Sequence, residues 1–241
     1  MEKALYVSEM ESFGRSYKAI VIGASGGIGF AVKEALQSDT ACAYVEAVSR
    51  KTHTSFDLED ERSIAVLADR LNDQLGDIDL VIVATGALTV NEAGPEKALK
   101  GLDPSIMAKA FAINAIGPAL ILKHFHKVLP RKRRCVVAAL SARVGSIGDN
   151  RLGGWYSYRA SKAALNQLIR TAAIEIGRTR KDAVCAAIHP GTVETSLSAP
   201  FAPGRVVKPD EAATNILRTL DGLRPSDTGG FFAFDGKPIA W

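Results

Sequence analysis

Tyr158 and Lys162 stand four residues apart in Tyr158-Arg159-Ala160-Ser161-Lys162. On a helix that spacing puts both side chains on one face, near enough to interact. An ammonium beside a phenol favours the phenolate and lowers the tyrosine pKa from its ordinary value of about 10. Such a tyrosine can give a proton to a carbonyl oxygen, or take one from an alcohol, near neutral pH. Pairs of this kind are common on helix surfaces, so the weight rests on a second feature far upstream.

That feature is Gly23-Ala24-Ser25-Gly26-Gly27-Ile28-Gly29. It follows the apolar, mostly β-branched run Lys18–Ile22, which reads as a strand buried on both faces. It precedes Phe30–Leu36, which has helical periodicity. A strand, a glycine-rich turn and a helix start together aim backbone N–H groups and the positive helix end at a phosphate. Glycine is needed where the chain turns sharply and a pyrophosphate approaches the backbone. The spacing is Gly-x-x-x-Gly-x-Gly, with the framing glycines at 23, 27 and 29.

Further strand-like runs fall at 43–48, 80–84, 135–140, 183–188 and 230–234, with a minor one at His53–Phe56. Helical patterns lie between them near 28–38, 59–75, 104–129, 155–178 and 209–222. This alternation predicts one α/β domain over 17–241, a doubly wound Rossmann-type fold. The expected sheet is mostly parallel and seven-stranded, with helices on both faces. Residues 1–16 carry no motif and are expected to be loosely ordered. In such a sheet, ligands bind beyond the carboxyl ends of the strands. The glycine turn, Gly86, Ser141 and Pro190-Gly191 each follow a strand, so they converge on one edge, to which the 155–178 helix brings Tyr158 and Lys162.

The second strand ends Ala47-Val48-Ser49-Arg50-Lys51. An NAD-preferring fold would place a carboxylate there for the ribose 2′-hydroxyl. A guanidinium instead suits a 2′-phosphate, with Ser49 adding a hydrogen bond. NADP(H) is therefore the expected cofactor, and NAD(H) the second choice.

With the glycine turn and the Tyr/Lys pair in hand, the chain resembles the short-chain dehydrogenase/reductase family, and within it the C-factor and sniffer-type carbonyl reductases. The resemblance spans about residues 17–241. It implies that Gly23, Ser25, Gly26, Gly27, Ile28 and Gly29 form the cofactor turn, that Asp57 and Leu58 border the adenine, and that Gly86, Pro190, Gly191, Val193 and Thr195 line the nicotinamide side. It further implies Tyr158 as acid/base, Lys162 as ribose ligand and tyrosine partner, and Asn114 as support for a proton-relay water. The Asn-Asn-Ala-Gly segment of the family reads Val83-Ala84-Thr85-Gly86 here. The family's catalytic serine, three residues before a glycine, falls on Ala142 when counted back from Gly145. Ser141, one place early, would serve if the strand end is bulged; Ser146 on the next loop is the alternative, and neither is the third. The implied activity is reversible hydride transfer between NADP(H) and a carbonyl or alcohol of a small substrate. The alternative is a dinucleotide-binding signalling protein of C-factor type with weak or no catalysis.

The composition excludes other classes. A 47% hydrophobic, 23% charged chain of 241 residues is ordinary for a globular domain. Cys42, Cys135 and Cys185 are dispersed and odd in number, which predicts neither a disulfide framework nor a metal site and agrees with a cytoplasmic setting. No membrane span or leader is expected. The net charge of +4 and the run Arg131–Arg134 lack the aromatic interleaving of a nucleic-acid site, so no nucleic-acid partner is expected. Small and apolar residues on several faces of the 104–129 and 155–178 helices predict a homo-oligomer, a dimer or tetramer.

Overall fold

The computed structural model describes residues 10–201 and 206–241. Six strands form a single parallel sheet: β1 Tyr17–Ile22, β2 Cys42–Val48, β3 Leu80–Val83, β4 Cys135–Leu140, β5 Ala183–His189 and β6 Phe231–Ala233. Their order is β2-β1-β3-β4-β5-β6. The chain leaves β1 to one side and then returns past it, so the switch point lies between β1 and β3, where such sheets open a crevice.

The expected seventh strand is not formed among the described residues. After β2 the chain turns back on itself, with His53 N–H bonded to Ser49 O and Phe56 N–H to His53 O. Those short-range bonds take the backbone groups a strand would need, while the Phe56 side chain still enters the core. The expectation of a loosely ordered 1–16 does not hold for residues 10–16, and residues 1–9 lie outside the described residues. Met10 is fully buried; its N–H donates to the Asp39 carboxylate at 3.0 Å, which also accepts from the Tyr17 hydroxyl at 2.7 Å.

Alternation along the strands sorts the core into two layers. Ile20, Ile22, Val81, Val83, Val137, Ala139 and Ala187 face one side, against α2 Glu61–Leu75, α4 Gly117–Phe125 and α5 Tyr156–Thr179. Ala19, Val21, Leu80, Ile82, Ala138, Ala186 and Ile188 face the other, against α1 Gly27–Ser38 and α6 Pro209–Gly222. Local signals fix the helix ends. Asp60 caps α2 through Arg62 N–H, and Asp103 caps α3 Pro104–Phe111 through the N–H groups of Ser105 and Ile106.

Between α3 and α4 the helix opens into a π turn, Ala112–Ile116. The continuous helical stretch Pro104–Val128 has the length and hydropathy of a membrane span, which corrects the expectation that no run approaches that size. Its apolar residues have partners in this fold: Ile121, Leu122, Phe125 and Val128 belong to the core layer that includes α5. The basic run is tied down as well. Arg133 pairs with Asp79 at 2.7 Å and Asp77 at 3.0 Å, and Arg134 donates to Leu220 O and Asp221 O. The three cysteines are free, and no group that could hold a metal occurs among the described residues.

Candidate active site

The cleft begins where β1 ends. Gly23 has a left-handed backbone, φ 91°, which lets the chain reverse without strain. A Cβ on Gly29 would lie 2.3 Å from Gly23 O, and one on Gly27 2.7 Å from the Thr195 methyl. These close approaches leave the start of α1, capped by Gly26, with N–H groups directed into open space. A cavity of about 290 Å³ there is lined by Gly23, Ser25, Gly26, Arg50, Asp57 and Leu58, among others. It adjoins, through Gly26, Thr85 and Gly86, a second of about 220 Å³ bordered by Gly27, Ile28, Tyr158, Lys162, Pro190 and Thr195. A third, of about 360 Å³, opens beyond Tyr158, with walls from Leu88, Ala142, Trp155, Val193 and Phe201. Gly191, at φ 84°, lines this third cavity. Most of the sequence-expected residues thus border these adjoining cavities, whereas Asn114 lies buried behind them.

A dinucleotide fits this groove on its own terms. The glycine cradle would be filled by any Cβ. The Thr85 hydroxyl, bordering the first two cavities, is buried without a hydrogen-bond partner, the condition of a polar group that a bound molecule satisfies. Thr85 stands at the alanine of the family's Asn-Asn-Ala-Gly segment, so no sequence signal pointed to a hydroxyl there. Arg50 is exposed on the cavity rim and has no ion pair among the described residues. Glu46, the carboxylate nearest in sequence, is engaged by His53 at 3.0 Å and by the Tyr44 hydroxyl. Ser49 is buried, and its hydroxyl accepts from the N–H groups of Lys51 and Thr52; its main work is to build the turn that carries Arg50.

Asn114 is fully buried in the π turn. Its amide brackets Ala87, accepting from Ala87 N–H at 2.8 Å and donating to Ala87 O at 2.9 Å, which ties the loop after β3 to the helix. Pro118 has no N–H, so the α-helical bond to the Asn114 carbonyl cannot form. Lys162 is 3% exposed, and its Nζ donates to Leu140 O at 2.8 Å. Ideal Cβ positions on Gly86 lie 3.3 Å from both Lys162 Nζ and Asn114 Oδ1, so glycine is what allows the three segments to meet.

The electrostatics differ from the expectation drawn from spacing alone. Burial pushes the Tyr158 phenol up to about 12 and the Lys162 ammonium down to about 8. Lys162 Nζ lies 6.0 Å from the Tyr158 ring centroid, and desolvation of both charged forms outweighs their attraction. Tyr158 is therefore a protonated phenol at neutral pH, in the form that donates.

Ser141 N–H continues the β4–β5 ladder, donating to Ile188 O at 2.7 Å, and Ala142 is extended. The strand end is not bulged, yet Ser141 borders both the second and the third cavity. Its hydroxyl donates to Asn166 Oδ1 on α5 at 2.6 Å. Ser146 is buried and accepts from Asp149 N–H at 3.0 Å, closing a loop turn. Ala142 contributes a methyl where the family has a hydroxyl.

Comparison with known proteins places the fold and the family. A family model described as enoyl-(acyl carrier protein) reductase matches residues 24–234. The chain belongs to the short-chain dehydrogenase/reductase family of oxidoreductases. It is 30% identical over 234 residues to 1-hydroxy-2-glutathionyl-2-methyl-3-butene dehydrogenase of Rhodococcus sp. (strain AD45), covering 92% of this chain and 98% of that protein. It is 35% identical over 167 residues to the C-signal of Myxococcus xanthus, 66% of this chain and 96% of that one. Among solved structures, the NADPH-bound carbonyl reductase from chicken fatty liver superposes with a TM-score of 0.82 at 25% identity, covering 94% and 95% of the two chains. The carbonyl reductase Sniffer of D. melanogaster shares the fold with a TM-score of 0.80 at 20% identity, over 94% of this chain and 100% of that one.

His189, at the end of β5, lines the third cavity with Nδ1 buried and unpartnered. Burial, with the Arg143 charge nearby, lowers its pKa to about 4. Between the ordinary value of about 6.5 and 4, the unfolded chain binds this proton and the folded chain does not, so stability falls as pH drops through that window. His189→Gln should remove about 2 kcal/mol of the acid-induced loss between pH 7 and pH 4. Urea unfolding of both proteins at the two pH values measures it, and identical losses would refute the assignment.

Proposed function

We propose that this protein is an NADP(H)-dependent carbonyl reductase, moving hydride between the nicotinamide and a carbonyl or alcohol of a small substrate. The observation that carries the reading is Tyr158, a protonated phenol at the junction of the second and third cavities. The cofactor, when bound, supplies the hydride. The chain's residues do the rest. Gly23, Ser25, Gly26, Gly27, Ile28 and Gly29 cradle the phosphates, with Asp57 and Leu58 beside the adenine. Gly86, Pro190, Gly191, Val193 and Thr195 flank the nicotinamide side. Tyr158 gives its hydroxyl proton to the substrate oxygen in reduction and takes it back in oxidation. Lys162 holds the ribose and stabilises the phenolate left after proton transfer. Asn114, through its main-chain carbonyl, supports the water path that returns the proton.

With Ala142 in the serine position and Ser141 bonded to Asn166, the substrate oxygen has Tyr158 as its donor. That feature, and the likeness to the C-signal, favour a second reading: a dinucleotide-binding signalling protein with weak turnover. NADPH oxidation with a panel of aldehydes, quinones and diketones separates the two. In the first reading Tyr158→Phe lowers kcat by about 10²–10⁴-fold with NADPH affinity unchanged. A mutant that keeps more than half the parent rate would show that another group supplies the proton.

Arg50 is the proposed 2′-phosphate ligand, because it is an unpaired guanidinium on the rim of the first cavity and no carboxylate stands at the end of β2, where one would hold a ribose 2′-hydroxyl. Arg50→Ala should weaken NADPH by about 1–3 kcal/mol and NADH by far less, as read from the two dissociation constants. Equal losses would mean that the guanidinium does not touch the phosphate.

The α4 and α5 helices present a mainly apolar groove on their outer side, lined by Ala119, Leu122, Leu168 and Ala172 with Lys123 and Glu175 beside them; Ile116, at the end of the π turn, and Ile174, on α5, are exposed. We assign this face to a homodimer contact. Light scattering at micromolar concentration should give twice the 25.6 kDa chain mass, and a monomer mass would sink the assignment.

A further inference from the structure

Tyr158 is the third residue of α5, so its position is set by the first turn of that helix. A first turn leaves its N–H groups without intrahelical partners. Here the residue before the helix, Trp155, offers no side-chain cap and has a left-handed backbone, φ 55° and ψ 42°. Gly153 and Gly154, just before it, are also at positive φ. A tryptophan in that region is strained by of order 1–3 kcal/mol and persists only where surroundings hold it.

One residue from another segment does the holding. Glu96, buried in the long loop between β3 and α3, accepts from Ser157 N–H through Oε2 at 3.1 Å and from the Ser157 hydroxyl through Oε1. Its main-chain carbonyl accepts from Trp155 N–H at 2.5 Å. The carboxylate also lies at the positive end of α5, where negative charge is stabilising. Arg159 adds a brace from inside the helix, donating to Gly154 O and Val144 O. The Trp155 ring, fixed in this way, packs edge-on against Tyr158 at 6.2 Å and against Phe201 at 5.8 Å, making one wall of the substrate cavity.

We propose that Glu96 is a positioning residue: it caps α5 from a distant loop, and so fixes both the Tyr158 hydroxyl and the Trp155 wall relative to the substrate. The inference rests on Tyr158 as the proton donor, and its test includes a readout that does not. Glu96 touches neither substrate nor cofactor, and the glycine cradle and Lys162 lie beyond its reach, so its loss acts on turnover and leaves cofactor affinity alone. Misplacement of a reacting group by about 1 Å costs on the order of 10²-fold.

Glu96→Ala should lower kcat for carbonyl reduction at least about 10-fold, on the same misplacement scale, with the NADPH dissociation constant unchanged. Glu96→Gln retains one acceptor oxygen and the side-chain shape, and should recover part of that loss. The chain has two tryptophans, so in a Trp241→Phe background Trp155 alone emits. Its fluorescence should move to longer wavelength in Glu96→Ala, whether or not the enzyme turns over. Parent-like kcat and Trp155 emission, with only a lower melting temperature, would overturn the proposal and leave Glu96 a cap without effect on the site. If Glu96→Ala does not fold, the same two readouts on Glu96→Gln decide. If instead Tyr158→Phe retains activity, the reading of Tyr158 fails while the emission still reports on Glu96.

Discussion

Lys162 is an ammonium-bearing side chain in a place that water scarcely reaches, and its bond to the carbonyl of Leu140 is what makes that location tolerable. A buried cation without a partner would cost several kcal/mol. The bond joins the last residue of β4 to the second turn of α5 and so fixes the helix along its axis. A Cβ on Gly145 would meet the Lys162 Cβ at 2.8 Å, so the segment after β4 can lie directly on the helix. Asn166, one turn further, takes the Ser141 hydroxyl. Three consecutive contacts thus set where α5 rests on the sheet, and Tyr158 follows from them.

The same packing explains why the tyrosine pKa is pushed up and the lysine pKa down, each by loss of water around its charged form. The groove walls exclude water from each. Glu96 is the buried acid of this region, and its oxygens are taken up by Ser157.

Much of the site was legible in the sequence because it is written in local patterns. The glycine turn after a buried strand, the Tyr/Lys spacing and the absence of a carboxylate after β2 each reflect a constraint within a few residues. What could not be read depends on contacts across the chain. The turn at Ser49–Phe56 replaced an expected strand, since nothing local distinguishes four residues that pair with themselves from four that pair with a neighbour. The partner of Ser141 lies 25 residues away, and that of Ser157 61 residues away. Thr85 shows its importance only as an orphaned hydroxyl in a finished groove. Burial of Tyr158, which reversed the direction expected from its neighbour, is likewise a property of the assembled layers.

The π turn at Ala112–Ile116 gives the long helix two phases. A π turn holds one residue more than an α turn, so side chains after it are rotated by roughly 100° relative to an uninterrupted α-helix. The residues before it, with Ala110 buried, and those after it, with Ile121, Leu122 and Phe125 buried, therefore keep separate rotational settings. Only with that offset do Asn114 and the apolar stripe of α4 point to their own destinations at once. Winding and residue number are consequently coupled: closing the π turn into regular α winding without removing a residue would leave every side chain chemically intact and turn the second half of the helix to the wrong face. The fold thus stores the relation between the two halves as helical phase, and a single extra residue is what sets it.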